Sequence, residues 1–165
     1  MIAKPRANKR NLKILLGATL AIAAILTLIL LFVPEKEGCS AEQPGVLLYP
    51  DGESASCTVR LQGDVLTYAF SKDEPIFKGS LQTDGQEVCD LRLTFDGKYY
   101  VAGEADAAAV MSNEMEIAAL VRQDGKDCLL LAPAADGSLA QALLSRFLSA
   151  SFYARQQGWE AFQQK

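Results

Sequence analysis

Residue types that commonly perform catalysis are poorly represented in this chain. It has no histidine, and it has four cysteines among 165 residues. Without histidine the commonest general base and metal ligand is missing, and Ser-His-Asp and Cys-His arrangements are excluded. The cysteines are separated by 18, 32 and 39 residues, so they do not form a clustered metal motif: Cys39, Cys57, Cys89 and Cys128. The sequence therefore predicts no metal site, no cofactor and no activated nucleophile.

Carboxylate pairs are the remaining candidates for catalysis. Two carboxylates that flank a glycosidic bond can hydrolyse it, and Glu114/Glu116 and Asp124/Asp127 are close pairs in the sequence. The chain has 20 acidic residues, however, so such pairs arise from composition alone. A solvated acidic surface is the favoured interpretation, and the sequence favours a protein that is not an enzyme.

Three aromatic residues are candidate contacts with a partner. Tyr99 and Tyr100 are adjacent, and adjacent residues of a strand face opposite sides, so one of them is expected on an exposed face. A half-buried cross-strand partner is an equally good interpretation. Trp159 belongs to a C-terminal apolar stripe with Phe152 and Phe162. This stripe is expected to dock on the domain's own sheet or on a partner.

An apolar run near the N-terminus predicts a membrane anchor. Residues 14–33 contain no charged residue, and a 20-residue helix is about 30 Å long, which matches the hydrocarbon core of a bilayer. Five basic residues and no acidic residue precede it, whereas Glu35-Lys36-Glu37 follows. The positive-inside rule then predicts a single-pass signal anchor in the cell membrane, with residues 1–13 cytoplasmic and the C-terminal domain extracytoplasmic. The alternative is a cleaved secretory signal, whose apolar core is usually about 7–15 residues long.

The charge of the C-terminal domain limits its partners. Residues 34–165 hold all 20 acidic side chains and 11 of the 16 basic ones, a formal charge of −9. Phosphate backbones repel such a domain, so nucleic acid is not an expected partner. The expected partners are the lipid bilayer, through residues 14–33, and a protein.

The extracytoplasmic location predicts that the four cysteines form disulfide bonds, because an even number of them is typical of a stapled small domain. If consecutive strands alternate in direction from residue 57 onwards, Cys57 and Cys128 begin strands at one end of the sheet. Cys89 then begins a strand at the other end and pairs with Cys39. If Glu104–Glu114 adds a strand, the pairs become Cys89 with Cys128 and Cys39 with Cys57. Alanine-rich sequence within Glu104–Glu114 also permits a helix or an extended connection.

Alternating apolar residues predict a mainly β domain over residues 45–165. Cys57, Val59 and Leu61 share one face, with Thr58 and Arg60 on the other. Asp-Gly and Gly-Asp pairs such as Asp84-Gly85 and Gly63-Asp64 mark turns between short strands. The predicted strands are 57–62, 64–70, 76–82, 88–95, 98–103, 115–122 and 126–132. Their spacing indicates an antiparallel sandwich or a small barrel.

The segments before and after the predicted strands have different patterns. Residues 34–44, with Pro34, Gly38 and Pro44 among charged residues, predict a short stem. From residue 138 to 163 the apolar period becomes helical, and Ser138 and Gln141 form a candidate capping box. The predicted fold is one transmembrane helix followed by a β-rich domain with C-terminal helices.

Three functions are compatible with this organisation. The first is a membrane-anchored, non-catalytic binding or assembly module, which follows from the anchor and from the lack of catalytic motifs. The second is a small-ligand-binding β-barrel, which requires an enclosed cavity. The third is an extracytoplasmic enzyme that uses carboxylates, which requires two buried carboxylates in one cleft.

Overall fold

A computed structural model describes residues 9–68, 74–103, 108–123 and 125–163, with side chains from residue 13 onwards. The chain divides into two compact units. The first is built on an N-terminal helix. The second, which comprises Lys36–Thr67 and Asp73–Lys165, is a β-barrel with C-terminal helices.

The N-terminal helix, α1, extends from Lys9 to Phe32. Its segment Lys13–Phe32 has a mean hydropathy of 2.8, and none of it is buried within the protein. The hydroxyl groups of Thr19 and Thr27 donate hydrogen bonds to carbonyls one turn earlier, so the helix satisfies its own polar side chains. The predicted apolar helix is confirmed, and it is long enough to cross a membrane.

Eight antiparallel strands form a closed barrel in chain order. The barrel closes where Val46, Leu47 and Leu48 of the first strand pair with Leu131, Leu130 and Leu129 of the last. Of the two architectures that the alternating pattern permits, the structure has the barrel. The strands are β1 Glu35–Leu48, β2 Ser54–Thr67, β3 Ile76–Thr83, β4 Gln86–Phe95, β5 Tyr100–Ala102, β6 Ala109–Met111, β7 Ile117–Gln123 and β8 Lys126–Ala132.

The turn between β3 and β4 shows how Asp-Gly pairs set the connections. Asp84 and Gly85 have φ angles of 50° and 79°, and positive φ at both central residues is what a type I′ hairpin requires. The Asp84 carboxylate accepts a hydrogen bond from the Thr58 amide at 2.8 Å, which ties the turn to β2. Glycines 52, 97 and 125 also have positive φ at predicted Asp-Gly turns.

Two predicted boundaries differ from the structure in β1 and β2. Residues 35–44 are the first part of β1 and not a stem. The Gln43 side chain donates a hydrogen bond to the Met115 carbonyl at 3.0 Å, which ties this part of the strand to the barrel. The predicted turn at Gly63-Asp64 is wrong, since β2 is one continuous strand. The part of the predicted strand 64–70 that includes Phe70 lies outside the described residues.

Gly63 stays in the strand because of a packing requirement. It pairs with Gly79 of β3, and both glycines lie beneath the ring of Phe77. A Cβ at either position would lie 2.7 Å from Phe77 Cζ, which is closer than carbon atoms pack. The two glycines therefore leave the space that the Phe77 ring fills.

Side chains fill the inside of the barrel. Leucine, valine and isoleucine side chains from β1, β2, β3, β4, β7 and β8 meet Phe77, Tyr100 and Met111 in one buried cluster. Alanines at 102, 109, 119 and 132 face the same cluster. Eight strands enclose a space just wide enough for such side chains.

The C-terminal helices cover part of the outer wall. They are α2 Gly137–Ala150, α3 Phe152–Gln156 and a 3-10 turn, Trp159–Phe162. Leu144, Phe147 and Trp159 pack against outward-facing residues such as Val46 and Leu129.

The predicted C-terminal helical segment is present but is divided into three pieces. Its N-cap is Asp136, whose carboxylate accepts from the Leu139 amide at 2.9 Å, so the capping box predicted at Ser138 and Gln141 does not form.

The ambiguous segment Glu104–Glu114 contains a strand. Residues 104–107 lie outside the described part of the chain. β6, Ala109–Met111, pairs with β5 on one side and β7 on the other. Alanine's weak strand propensity is outweighed here by burial between two partner strands.

Candidate functional site

All four cysteines face the inner cluster of the barrel. Cys128 is fully buried in it, and Cys39, Cys57 and Cys89 pack against it. No disulfide bond joins any of them, so the predicted disulfides are absent from this structure. Free cysteine inside a core behaves as a small apolar residue, so these residues contribute packing.

Strand register explains why the predicted pair Cys57–Cys128 is wrong. Leu48 pairs with Leu129, so Cys128 lies level with Tyr49, whereas Cys57 Sγ lies 3.4 Å from where a Cβ of Gly45 would be. Four residues along a strand correspond to about 13 Å, and a disulfide needs Cα atoms within about 6.8 Å.

Register and strand order also separate the other predicted pairs. Cys39 is level with Gly63, six residues along β2 from Cys57, so Cys39 and Cys57 do not pair. Cys39 Sγ lies 3.5 Å from the Gly63 carbonyl on β2, while Cys89 is on β4, two strands further round. Cys89 and Cys128 lie four strands apart in both directions, on opposite sides of the barrel. The prediction counted 57–62 and 64–70 as two strands and therefore placed Cys89 at the opposite end of the sheet from Cys57 and Cys128. Because residues 54–67 form one strand, these three cysteines all lie near the start of even-numbered strands, which run in the same direction.

Burial also makes these thiols unreactive. Desolvation, with the nearby Asp84 carboxylate, raises the pKa of Cys57 from 9.0 to about 11. Desolvation, with Asp90 and Glu87, raises the pKa of Cys89 to about 11, and burial raises the pKa of Cys39. The thiolate is the nucleophile and the metal ligand, so these groups are protonated at neutral pH.

The candidate contact aromatics are all buried. Tyr99 faces outward beneath α2, with its ring centroid 5.7 Å from that of Phe147. Tyr100 faces inward, 5.0 Å from Phe95, so the pair does face opposite sides as expected. Both tyrosines are 9% exposed and Trp159 is fully buried, which differs from the expectation of an exposed contact residue. The helices and the inner cluster cover the two faces.

Of the described candidate carboxylates, Glu114 and Asp127 are exposed, whereas Glu116 is only 19% exposed and lies in an ion pair. Glu116 forms an ion pair with Arg146 at 2.5 Å, and Asp127 lies 3.8 Å from Arg122 with both side chains exposed. Glu114 is exposed, and Asp124 lies outside the described residues. Within the described ranges the buried polar side chains are Thr83 and Ser151, and no group of three or more acidic or cysteine ligands could hold a metal ion. This arrangement suits solvated ion pairs.

A shallow apolar groove lies beside α2. It has a volume of about 460 Å³, and Leu139 on its rim is 52% exposed. Arg146 lines it near the ion pair with Glu116. We call it the α2 groove; the residues that define it are Pro44, Pro133, Ala134, Leu139, Ala142 and Arg146.

A second concavity lies on the outer wall of β2, β3 and β4. Its volume is about 660 Å³, and five of its seven lining residues are polar or charged. Lys78 pairs directly with Arg92, and Ser80 pairs with both Gln62 and Asp90. We call it the outer-wall patch, defined by Gln62, Lys78, Ser80, Asp90 and Arg92. The sequence shows these residues only as polar positions in alternating strands; their grouping depends on register, which the sequence does not reveal.

Comparisons of the chain with models of protein families, with curated proteins and with solved structures find no match. The fold and site therefore define a class by structure alone: a closed eight-stranded antiparallel barrel with an N-terminal apolar helix and C-terminal helices on its outer wall.

Proposed function

We propose that the protein is a membrane-anchored, non-catalytic binding or assembly module whose barrel lies outside the cytoplasm. The observation that carries this proposal is the exposure of α1. Segment Lys13–Phe32 leaves every side chain uncovered, including leucines and isoleucines. Water strongly disfavours an apolar surface of that size, whereas a bilayer removes it from water.

Charge supports the orientation of the anchor. The five basic residues before residue 14 favour the cytoplasmic side, and the domain from residue 34 onwards has a formal charge of −9. The two sides of the apolar segment are thus strongly asymmetric in basic residues.

The inside of the barrel supports binding at the outer surface. Large side chains occupy the inner cluster, including Phe77, Tyr100 and Met111. A ligand-binding barrel needs an enclosed cavity, and no described feature favours that alternative. The surface positions of the described carboxylates likewise do not favour glycoside hydrolysis. The two concavities, the α2 groove and the outer-wall patch, both open outward.

Cell fractionation tests the anchoring step. The full chain is expected in the membrane fraction and should resist extraction by high salt. A matched variant that lacks residues 14–33 should move to the soluble fraction with its barrel still folded, as monitored by circular dichroism. Release of the full chain by salt would contradict the proposal.

Binding is tested by cross-linking in living cells. A photoreactive residue in place of Leu139 probes the α2 groove, and one in place of Thr94 on the solvated wall is the control. The proposal predicts one discrete protein adduct at position 139 that Ala142→Arg removes. Equal labelling at the two positions, or none, would count against a protein partner at this groove.

A further inference from the structure

The outer-wall patch contains an arrangement that folding alone disfavours. Lys78 and Arg92 are directly opposite each other on β3 and β4, and both side chains point outward. Like charges at directly opposed positions on one face destabilise a strand pair. A local violation of this kind is expected where a surface serves binding rather than stability.

Neighbouring carboxylates do not form ion pairs with the two cations. Within the described residues, the ion pairs engage Arg60, Arg122, Lys126 and Arg146, and neither Lys78 nor Arg92. Asp64 pairs with Lys78 in the register, and Asp90 lies two residues before Arg92. Neither carboxylate comes within 4.0 Å of these two cations. Their hydrogen-bond donors therefore remain available to a ligand.

The other residues of the patch narrow the class of ligand that it can bind. Gln62 has an amide donor and an amide acceptor, Ser80 has a hydroxyl, and Asp90 accepts hydrogen bonds. Lysine and arginine side by side match a phosphate group, with arginine able to donate two parallel hydrogen bonds. Acceptors beside them match hydroxyl groups of the same molecule.

Charge on the whole domain limits the size of the ligand. The formal charge of −9 on residues 34–165 repels a long polyanion such as nucleic acid. A small molecule with one phosphate meets much less repulsion, and it contacts Lys78 and Arg92 at short range although Asp64 and Asp90 bring the formal charge of these four residues to zero.

We propose that the outer-wall patch binds the phosphate group of a small polyol phosphate. Lys78 and Arg92 hold the phosphate oxygens, while Ser80, Gln62 and Asp90 contact the polyol hydroxyls. This inference rests on the proposed function and deepens it by naming the ligand class of the binding module. The same headgroup chemistry occurs in a free polyol phosphate and in phosphatidylglycerol.

Amide chemical shifts of the full-length protein in zwitterionic detergent micelles test the proposal. Addition of glycerol 3-phosphate should shift the amides of residues 62–64, 78–80 and 90–92. Shifts that appear only when phosphatidylglycerol is added to the micelles would support the site and assign the ligand to a lipid headgroup. Glycerol alone should give no shift, and an equal response to glycerol would overturn the role of the phosphate.

Substitutions identify the residues that bind. Lys78→Gln and Arg92→Gln should each weaken binding at least tenfold, and Asp90→Asn should weaken glycerol 3-phosphate binding without weakening binding of inorganic phosphate. Arg60→Gln is the matched control on the same wall, because Arg60 is paired with Glu42, and it should bind as the wild type does. Equal losses in all variants would overturn the proposal. A protein that stays in the membrane fraction but binds neither ligand would refute this inference and leave the proposed function standing.

Discussion

At the residue scale, the packing inside the barrel depends on small residues. Gly63 and Gly79 pair beneath Phe77, and four alanines face the same cluster. The sequence marks Gly63 as a turn residue, because glycine next to aspartate is common in turns. Only the pairing with Gly79, 16 residues away, shows that its role is to leave space.

Replacing Gly79 with alanine should therefore destabilise the barrel. The new Cβ would lie 2.7 Å from Phe77 Cζ and 2.8 Å from Gly63 Cα, so backbone or ring must shift. Overpacking of this kind costs about 1–3 kcal/mol. Gly38→Ala is the control, since its Cβ meets Asp64 Oδ1 at an ordinary 3.6 Å. Denaturant unfolding measures both, and equal stabilities would show that the glycine pair is not required.

The buried thiols predict how stability depends on pH. Cys57 and Cys89 have a pKa of about 11 in the folded protein and 9.0 when exposed. Between pH 9 and pH 11 the unfolded chain therefore binds fewer protons than the folded one, and the free energy of unfolding falls as pH rises. Below pH 9 both states keep these protons, so the contribution of the two thiols is fully retained.

Denaturant unfolding at pH 8, 9, 10 and 11 measures this fall. The double variant Cys57→Ala, Cys89→Ala should lose less of its own stability over the same interval. If its curve ran parallel to that of the wild type, the two thiols would not be the titrating groups. The expected compartment and the number of cysteines predict disulfide bonds, whereas the structure contains none among the four cysteines.

At the element scale, alternation predicted the central strands and missed the less regular ones. β4 alternates regularly from Cys89 to Phe95 and its position was largely confirmed, whereas β2 is one strand where two were predicted. β1 was missed, because residues 35–44 are charged, polar or small without apolar alternation and their inward side chains are only half-buried. β6 was hidden in an alanine-rich segment, where pairing with β5 and β7 outweighs propensity.

The packing of α2 gives the prediction at this scale. Phe147 is almost fully buried and lies edge-on to Tyr99, so Phe147→Ala should cost about 3–5 kcal/mol of unfolding free energy. Leu139 is on the same helix but 52% exposed, so Leu139→Ala should cost far less. Similar losses in the two variants would mean that α2 does not stabilise the barrel wall through its buried face. Thermal unfolding by circular dichroism compares them.

At the scale of the whole molecule, the sequence left sandwich and barrel as alternatives. The choice depends on the pairing of β1 with β8, about 85 residues apart in the chain, and no local pattern specifies it. The apolar helix, in contrast, depends only on local composition and length, so it was predicted closely.

The central claim is that α1 anchors the barrel on the outer face of a membrane. Epitope tags placed before residue 1 and after residue 165, in separate versions of the full chain, test it in intact cells. An antibody that cannot cross the membrane should bind the C-terminal tag without permeabilisation and the N-terminal tag only after it. Binding to the N-terminal tag alone in intact cells, or to neither tag, would contradict the proposed orientation.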